Sequence, residues 1–115
     1  MNVKDITEAV AILDGFTDLK YCPEDLDGPA IFEGEKDGRW PSVPNYPHSR
    51  DAIMPVIQKH VYGKTQSLFL FHIGNIVTNK SRIHLSPDEH CMAIMLASPT
   101  ELCEALLKAT HKWRD

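Results

Sequence analysis

The feature that most constrains the fold is a helix-start pattern at residues 98–101, Ser-Pro-Thr-Glu. A Ser at the N-cap and a Glu three residues later form a capping box, and Pro is favoured between them because its missing N–H needs no partner there. The pattern predicts a helix whose apolar residues recur at helical spacing: Leu102, Ala105, Leu106 and Ala109, with Cys103 at the margin. Because only one face of this helix is apolar, it must pack against a second layer.

Two short apolar runs are candidates for that layer. Residues 67–73 read SLFLFHI, and residues 90–97 read HCMAIMLA. Short runs with apolar side chains on both sides are typical of strands that are covered on both faces. We therefore expect two buried strands that pair with each other and are covered by helices.

The first half of the chain has weaker patterns. Apolar residues at helical spacing predict a helix over about 2–13, with Gly15 as its cap because a left-handed backbone is cheap only for Gly. Within residues 16–48, only the segments 18–22 (DLKYC) and 29–34 (PAIFEG) have the composition of short strands. The remainder of 16–48 predicts an irregular, Pro- and Gly-rich arm.

Residues 38–60, GRWPSVPNYPHSRDAIMPVIQKH, join this arm to a helix. Proline fixes φ and restricts the residue before it, so the segment 41–47 is expected to be extended and stiff. Trp40 and Tyr46 are expected to anchor the segment on the core.

Ser49 is the expected N-cap of a helix that runs to about His60, with Pro55 disturbing its first turn. The predicted order is helix, irregular arm, helix, strand, strand, helix, with the last four elements spanning 49–112. This order predicts an α+β fold, a small αβα layered sandwich with a short, mostly antiparallel sheet covered by helices.

Length and charge limit the function. A chain of 115 residues predicts a single domain, 1–115, and its 43% hydrophobic and 24% charged content is typical of globular proteins. The net charge is −4, the basic residues are scattered and residues 24–37 are acidic. Binding to nucleic-acid phosphates needs clustered Lys and Arg, so we expect no nucleic acid and favour a partner with a basic face.

Sequence features also indicate the compartment. No run reaches the roughly 18–20 apolar residues of a membrane helix, and residues 1–10 do not resemble a signal peptide. The three cysteines, Cys22, Cys91 and Cys103, are odd in number and widely spaced, as expected of reduced thiols. These features predict a protein of the cytoplasm that contacts no membrane.

A His- and carboxylate-bearing segment is the candidate metal site. His84, Asp88, Glu89 and His90 lie close together in the sequence, and their side chains are ligands that Zn²⁺ or another divalent ion accepts. Their spacing matches no common metal motif. The alternative is an ordinary polar turn before a strand.

The candidate recognition residues are Arg39, Trp40 and Tyr46, because Arg, Trp and Tyr are enriched in interface hot spots. Burial of the two aromatic rings against the helix and sheet is the alternative. The sequence contains no nucleophile elbow, phosphate-binding loop or dinucleotide fingerprint, which favours a non-enzymatic protein without a cofactor.

Two segments together resemble a known family. Residues 40–60 (WPSVPNYPHSRDAIMPVIQKH) and 96–113 (LASPTELCEALLKATHKW) are similar in order and spacing to the phage αβα-sandwich domain, a family of small proteins encoded by bacteriophages and prophages. The resemblance covers about 38–112 and implies a layered fold and an accessory role in the cytoplasm of an infected or lysogenic bacterium. It carries over no catalytic residue. Pro55 and the long, His-bearing segment 74–89 depart from the family pattern.

Three functional hypotheses remain open. The first is a non-enzymatic phage or prophage accessory protein that binds a host or phage protein. The second is a small metal-dependent enzyme that uses His84, Asp88, Glu89 and His90. The third is a homo-oligomeric structural component.

Overall fold

The computed structural model describes residues 1–22, 31–78 and 86–114. Five α-helices and one two-stranded antiparallel sheet lie in these residues, which confirms the α+β class. In chain order the elements are α1 Val3–Leu13, β1 Thr17–Cys22, β2 Ile31–Glu35, a 3-10 turn Tyr46–His48, α2 Arg50–His60, α3 Lys64–Thr78, α4 Pro87–Leu96 and α5 Pro99–Ala109. None of the helices in these described residues is both long and apolar enough to cross a membrane.

Helix α1 ends as its sequence predicts. Gly15 has a φ of 99° and donates its N–H to the Ile12 carbonyl, while the Phe16 N–H bonds the Ala11 carbonyl at 3.0 Å. These two bonds form a Schellman motif, in which the residue after the cap must be left-handed. The motif turns the chain sharply into β1 and places the Phe16 side chain in the core.

The two strands are the short ones expected in the first half of the chain. After β2, Lys36 and Arg39 exchange both backbone hydrogen bonds around Asp37 and Gly38, which have φ of 55° and 75°. Two central residues with positive φ make a type I′ turn, for which Asp-Gly is a preferred sequence. The chain then returns alongside β2.

The strands predicted at residues 67–73 and 90–97 are wrong. Residues 67–73 lie within the 15-residue helix α3, and residues 90–96 lie within α4. A short apolar run has no periodicity that separates a buried strand from a buried helix. The sheet therefore consists of β1 and β2 rather than of segments from the second half.

Helix α5 lies at the centre of the molecule and packs against α1, α2, α3 and the 3-10 turn. Its predicted cap is confirmed: the Ser98 hydroxyl accepts from the Glu101 N–H at 3.1 Å, and Glu101 accepts from the Ser98 N–H at 2.9 Å. Its apolar face is fully buried, including Cys103, which was expected only at the margin. This helix is the layer on which the others assemble.

The proline-rich segment is anchored by Tyr46 and Pro47, which are both buried. The Thr100 hydroxyl donates to the Pro47 carbonyl at 2.8 Å, which ties the segment to the first turn of α5. Ser49 then caps α2 as predicted, and Pro55 lies inside this helix on its exposed side.

Candidate interaction surface

The clearest candidate site is an apolar face on α4. The helix begins at a second capping box, in which the Ser86 hydroxyl accepts from the Glu89 N–H and the Glu89 carboxylate accepts from the Ser86 N–H. Pro87 occupies the first helical position. The sequence thus specifies a helix start here with the same Ser-Pro-x-Glu pattern as in α5.

Within the described residues, one side of α4 packs on the rest of the protein. Ala93 is buried and Ile94 packs against the core. Met92, Met95 and Leu96 instead remain 52%, 71% and 67% exposed. Their spacing of i, i+3 and i+4 places them on one face, which we call the α4 face.

Arg50 fixes the C-terminal end of α4. Its guanidinium donates to the Ala97 carbonyl at 2.6 Å and to the Ile94 carbonyl at 3.2 Å. The last carbonyls of a helix have no partner within it, and a cation also complements the negative end of its dipole. Arg50 therefore holds the α4 face in a defined orientation relative to α2.

The charge around the α4 face is negative at one end. Asp88 and Glu89 lie in the first turn of α4, and both are exposed. Carboxylates in a first turn stabilise the helix through its dipole. They also give the apolar face an acidic border on the side of the capping box.

The structure separates the three candidate recognition residues. Tyr46 is fully buried, and its hydroxyl donates to Asp14, so it acts as the expected anchor and contributes nothing to the surface. Arg39 and Trp40 are exposed on the segment that follows the type I′ turn, with Trp40 59% exposed. Trp40 is thus not the core anchor that the sequence suggested.

The metal candidates fall partly outside the described residues, which do not include His84. Asp88 and His90 lie two positions apart on α4, and such residues point to different sides of a helix. Within 1–22, 31–78 and 86–114, no group of three or more His, Cys, Asp or Glu side chains could hold a metal ion. The metal hypothesis stays a prediction.

The cysteines differ in their surroundings. Burial raises the pKa of the Cys103 thiol to about 12. Cys91 is exposed beside the α4 face, and Cys22 is half-buried at the end of β1. Cys103 is therefore a residue of the core rather than of its margin.

Sequence reasoning missed the α4 face because it interpreted residues 90–97 as a strand covered on both sides. The signal that identifies the helix is Ser86-Pro87-Asp88-Glu89, which was interpreted as a polar turn. Once a helix is assigned, the exposure of Met92, Met95 and Leu96 follows if Ala93 and Ile94 face the core.

The chain matches no protein-family model, and no curated protein or solved structure is significantly similar to it. The resemblance to the phage αβα-sandwich domain therefore stays a prediction.

Proposed function

We propose that this protein is a non-enzymatic accessory protein of a bacteriophage or prophage, which binds a host or phage protein in the bacterial cytoplasm through the α4 face. The sequence resemblance supports the phage setting. The observation that carries the binding role is the exposure of three large apolar side chains, Met92, Met95 and Leu96, on one face of a capped helix.

An exposed cluster of this kind favours binding over a purely structural role. Isolated apolar side chains are common on protein surfaces, whereas adjacent ones mark interaction sites. Methionine is also unbranched and polarisable, so it adapts its shape to a partner. Two of the three side chains on the α4 face are methionines.

The partner that fits best is an amphipathic helix with basic residues at one end. Its apolar side would cover Met92, Met95 and Leu96, as helices do when they bind in apolar grooves. Its Lys or Arg side chains would lie near Asp88 and Glu89. The net charge of −4 favours encounter with a basic partner in the same way.

The test is affinity purification of the full chain from bacteria with and without phage infection, comparing the wild type with Met95→Lys. Lys suits the last turn of a helix, so the variant should fold while its charge opposes a basic partner. We expect Met95→Lys to lose a protein that the wild type retains. Binding of that purified protein is then measured directly by calorimetry.

Tyr62→Lys is the matched control, because Tyr62 is 71% exposed between α2 and α3 and does not belong to the α4 face. It should retain the partner. Equal recovery with the wild type and Met95→Lys would contradict the proposal. A wild-type dimer in light scattering that Met95→Lys converts to monomer would instead support the homo-oligomer hypothesis.

A further inference from the structure

A groove separate from the α4 face lies between α1 and the turn that follows α5. Its volume is about 390 Å³, which falls in the range of about 300–1,000 Å³ typical of small-molecule sites. The lining residues from α1 are Glu8, Ala9, Ile12 and Leu13, and those from the turn are His111, Lys112 and Arg114.

The α1 side of the groove is mostly apolar. Ala9 and Leu13 pack on the core at its base, while Ile12 is 58% exposed. The four α1 residues occur as the pairs 8/12 and 9/13, and this i, i+4 spacing places them on one side of the helix. The apolar surface is therefore continuous along about one turn of α1.

Backbone hydrogen bonds hold the opposite wall in place. The Lys112 N–H donates to the Leu107 carbonyl at 2.7 Å, and the His111 N–H donates to the Lys108 carbonyl at 3.2 Å. These bonds make a Schellman motif at the end of α5. Trp113 packs against the core directly after it, so the wall is preformed.

His111 occupies the position in this motif that normally requires glycine. Its φ is 60°, in the left-handed region that a residue with a Cβ adopts at a cost. The same position in the motif of α1 is Gly15, with a φ of 99°. Left-handed non-Gly residues concentrate at functional sites, where their strain places a side chain. Here the strain places an imidazole on the groove wall.

The charges on the turn are opposite to those of the chain as a whole. Lys112 and Arg114 are positive and exposed, and Glu8 is the one acidic side chain among the described residues that line the groove. The chain overall carries −4. A cationic rim beside an apolar floor is complementary to a molecule with an apolar body and an anionic head.

We infer that this groove binds a small amphipathic organic anion, such as an aliphatic carboxylate, with its chain along Ala9, Ile12 and Leu13. Its carboxylate accepts hydrogen bonds from Lys112 and Arg114. The site shares no residue with the α4 face. The inference therefore goes beyond the proposed function and can be tested independently of it.

The experiment is a titration of the isotope-labelled full chain with decanoate, followed by amide chemical shifts, with the uncharged decanol as the matched ligand. We expect saturable shifts at residues 8–13 and 111–114, and weaker binding of decanol. No shifts at millimolar decanoate, shifts centred on Met92 to Leu96, or equal affinity for both ligands would overturn the inference.

Two variants test the charge requirement in opposite directions. Removing both cations with Lys112→Gln and Arg114→Gln should weaken decanoate binding about tenfold, because each exposed pair contributes modestly. Glu8→Gln should strengthen it by removing a repulsive carboxylate. Unchanged affinity in the double variant would contradict the proposal that Lys112 and Arg114 bind the carboxylate.

The variant His111→Gly tests whether the imidazole, and not only the left-handed backbone at this position, contributes to ligand binding. Glycine adopts the left-handed conformation without cost, so the variant should unfold at a higher temperature than the wild type. It should also bind decanoate more weakly, because the imidazole on the groove wall is lost. A gain in stability with unchanged binding would show that the imidazole does not serve the groove.

Discussion

Tyr46 connects the proline-rich segment to the end of α1 through one polar atom. Its hydroxyl donates to one Asp14 oxygen at 2.5 Å, and the other oxygen pairs with the Lys36 ammonium at 3.0 Å. Burial and the neighbouring Asp14 carboxylate raise the pKa of Tyr46 well above its usual value. The hydroxyl therefore stays protonated and remains a donor.

Tyr46→Phe should lower the free energy of unfolding by about 1–3 kcal/mol, because it removes a buried hydrogen bond to a charged group. Urea denaturation measures the change. The control is Tyr62→Phe, since Tyr62 is 71% exposed, and its effect should stay within about 0.5 kcal/mol. Similar losses in the two variants would show that the hydroxyl of Tyr46 contributes little.

The thiols should differ in reactivity with iodoacetamide. The thiolate is the reactive form, and burial of Cys103 with a pKa of about 12 leaves almost none at pH 8. Mass spectrometry of the native protein should find Cys91 alkylated and Cys103 intact, with both modified in urea. Early alkylation of Cys103 under native conditions would contradict the packing of α5.

At the scale of elements, the sequence predicts the helices with one-sided apolar periodicity and fails where a short run is apolar on both sides. Helices α2 and α5 were predicted with their N-caps because Ser49 and Ser98 precede clear apolar periodicity, and α1 was predicted from its apolar spacing and Gly15. Helices α3 and α4 were predicted as strands. Both helices carry apolar side chains on an exposed side as well, such as Phe71 in α3 and Met95 in α4, so neither has the one-sided pattern by which a helix is recognised.

The α4 face could not be predicted once residues 90–97 were interpreted as a strand, because which side chains are exposed depends on the type of element. The residues of the same chain that hold distant elements in place could not be predicted from the sequence either. Arg50 contacts carbonyls that are 44 and 47 residues away, and Asp14 lies 32 residues from Tyr46. Local patterns report caps and turns, whereas contacts at such separations depend on the assembled fold.

Arg50→Met tests how α4 is held. Removing two charge-assisted bonds to its last carbonyls should cost about 1–3 kcal/mol and speed hydrogen exchange at the C-terminal turn of α4. Lys59→Met is the control on the same helix, because Lys59 is exposed and should change stability by about 0.5 kcal/mol or less. Exchange rates in α4 that are equal in both variants would exclude the capping role.

At the scale of the whole molecule, each of the two candidate surfaces lies next to one end of α5. Its N-terminal turn lies beside Pro47 and follows directly after α4, and its C-terminal turn forms one wall of the groove. Helix α3 packs along it and brings His72 near Lys108 and His111. The end of α5 therefore brings Lys108 and His111 close to the partly buried imidazole of His72.

His72 should make the stability of the whole protein sensitive to acid. Desolvation lowers its pKa most, Lys108 and His111 lower it further, and Glu104 partly opposes them. The folded protein therefore resists protonation that the unfolded chain accepts, so stability is lost as pH falls below the unfolded value of about 6.5. Above that pH the imidazole is neutral in both states and contributes no pH dependence.

His72→Gln removes this group, so the variant should lose less unfolding free energy between pH 8 and pH 5 than the wild type. Urea denaturation at several pH values measures the difference. His48→Gln, at an exposed position in the 3-10 turn, should follow the wild-type curve. Because every other titrating group is shared, parallel curves for the wild type and His72→Gln would mean that His72 accepts its proton equally well in the folded and unfolded chains.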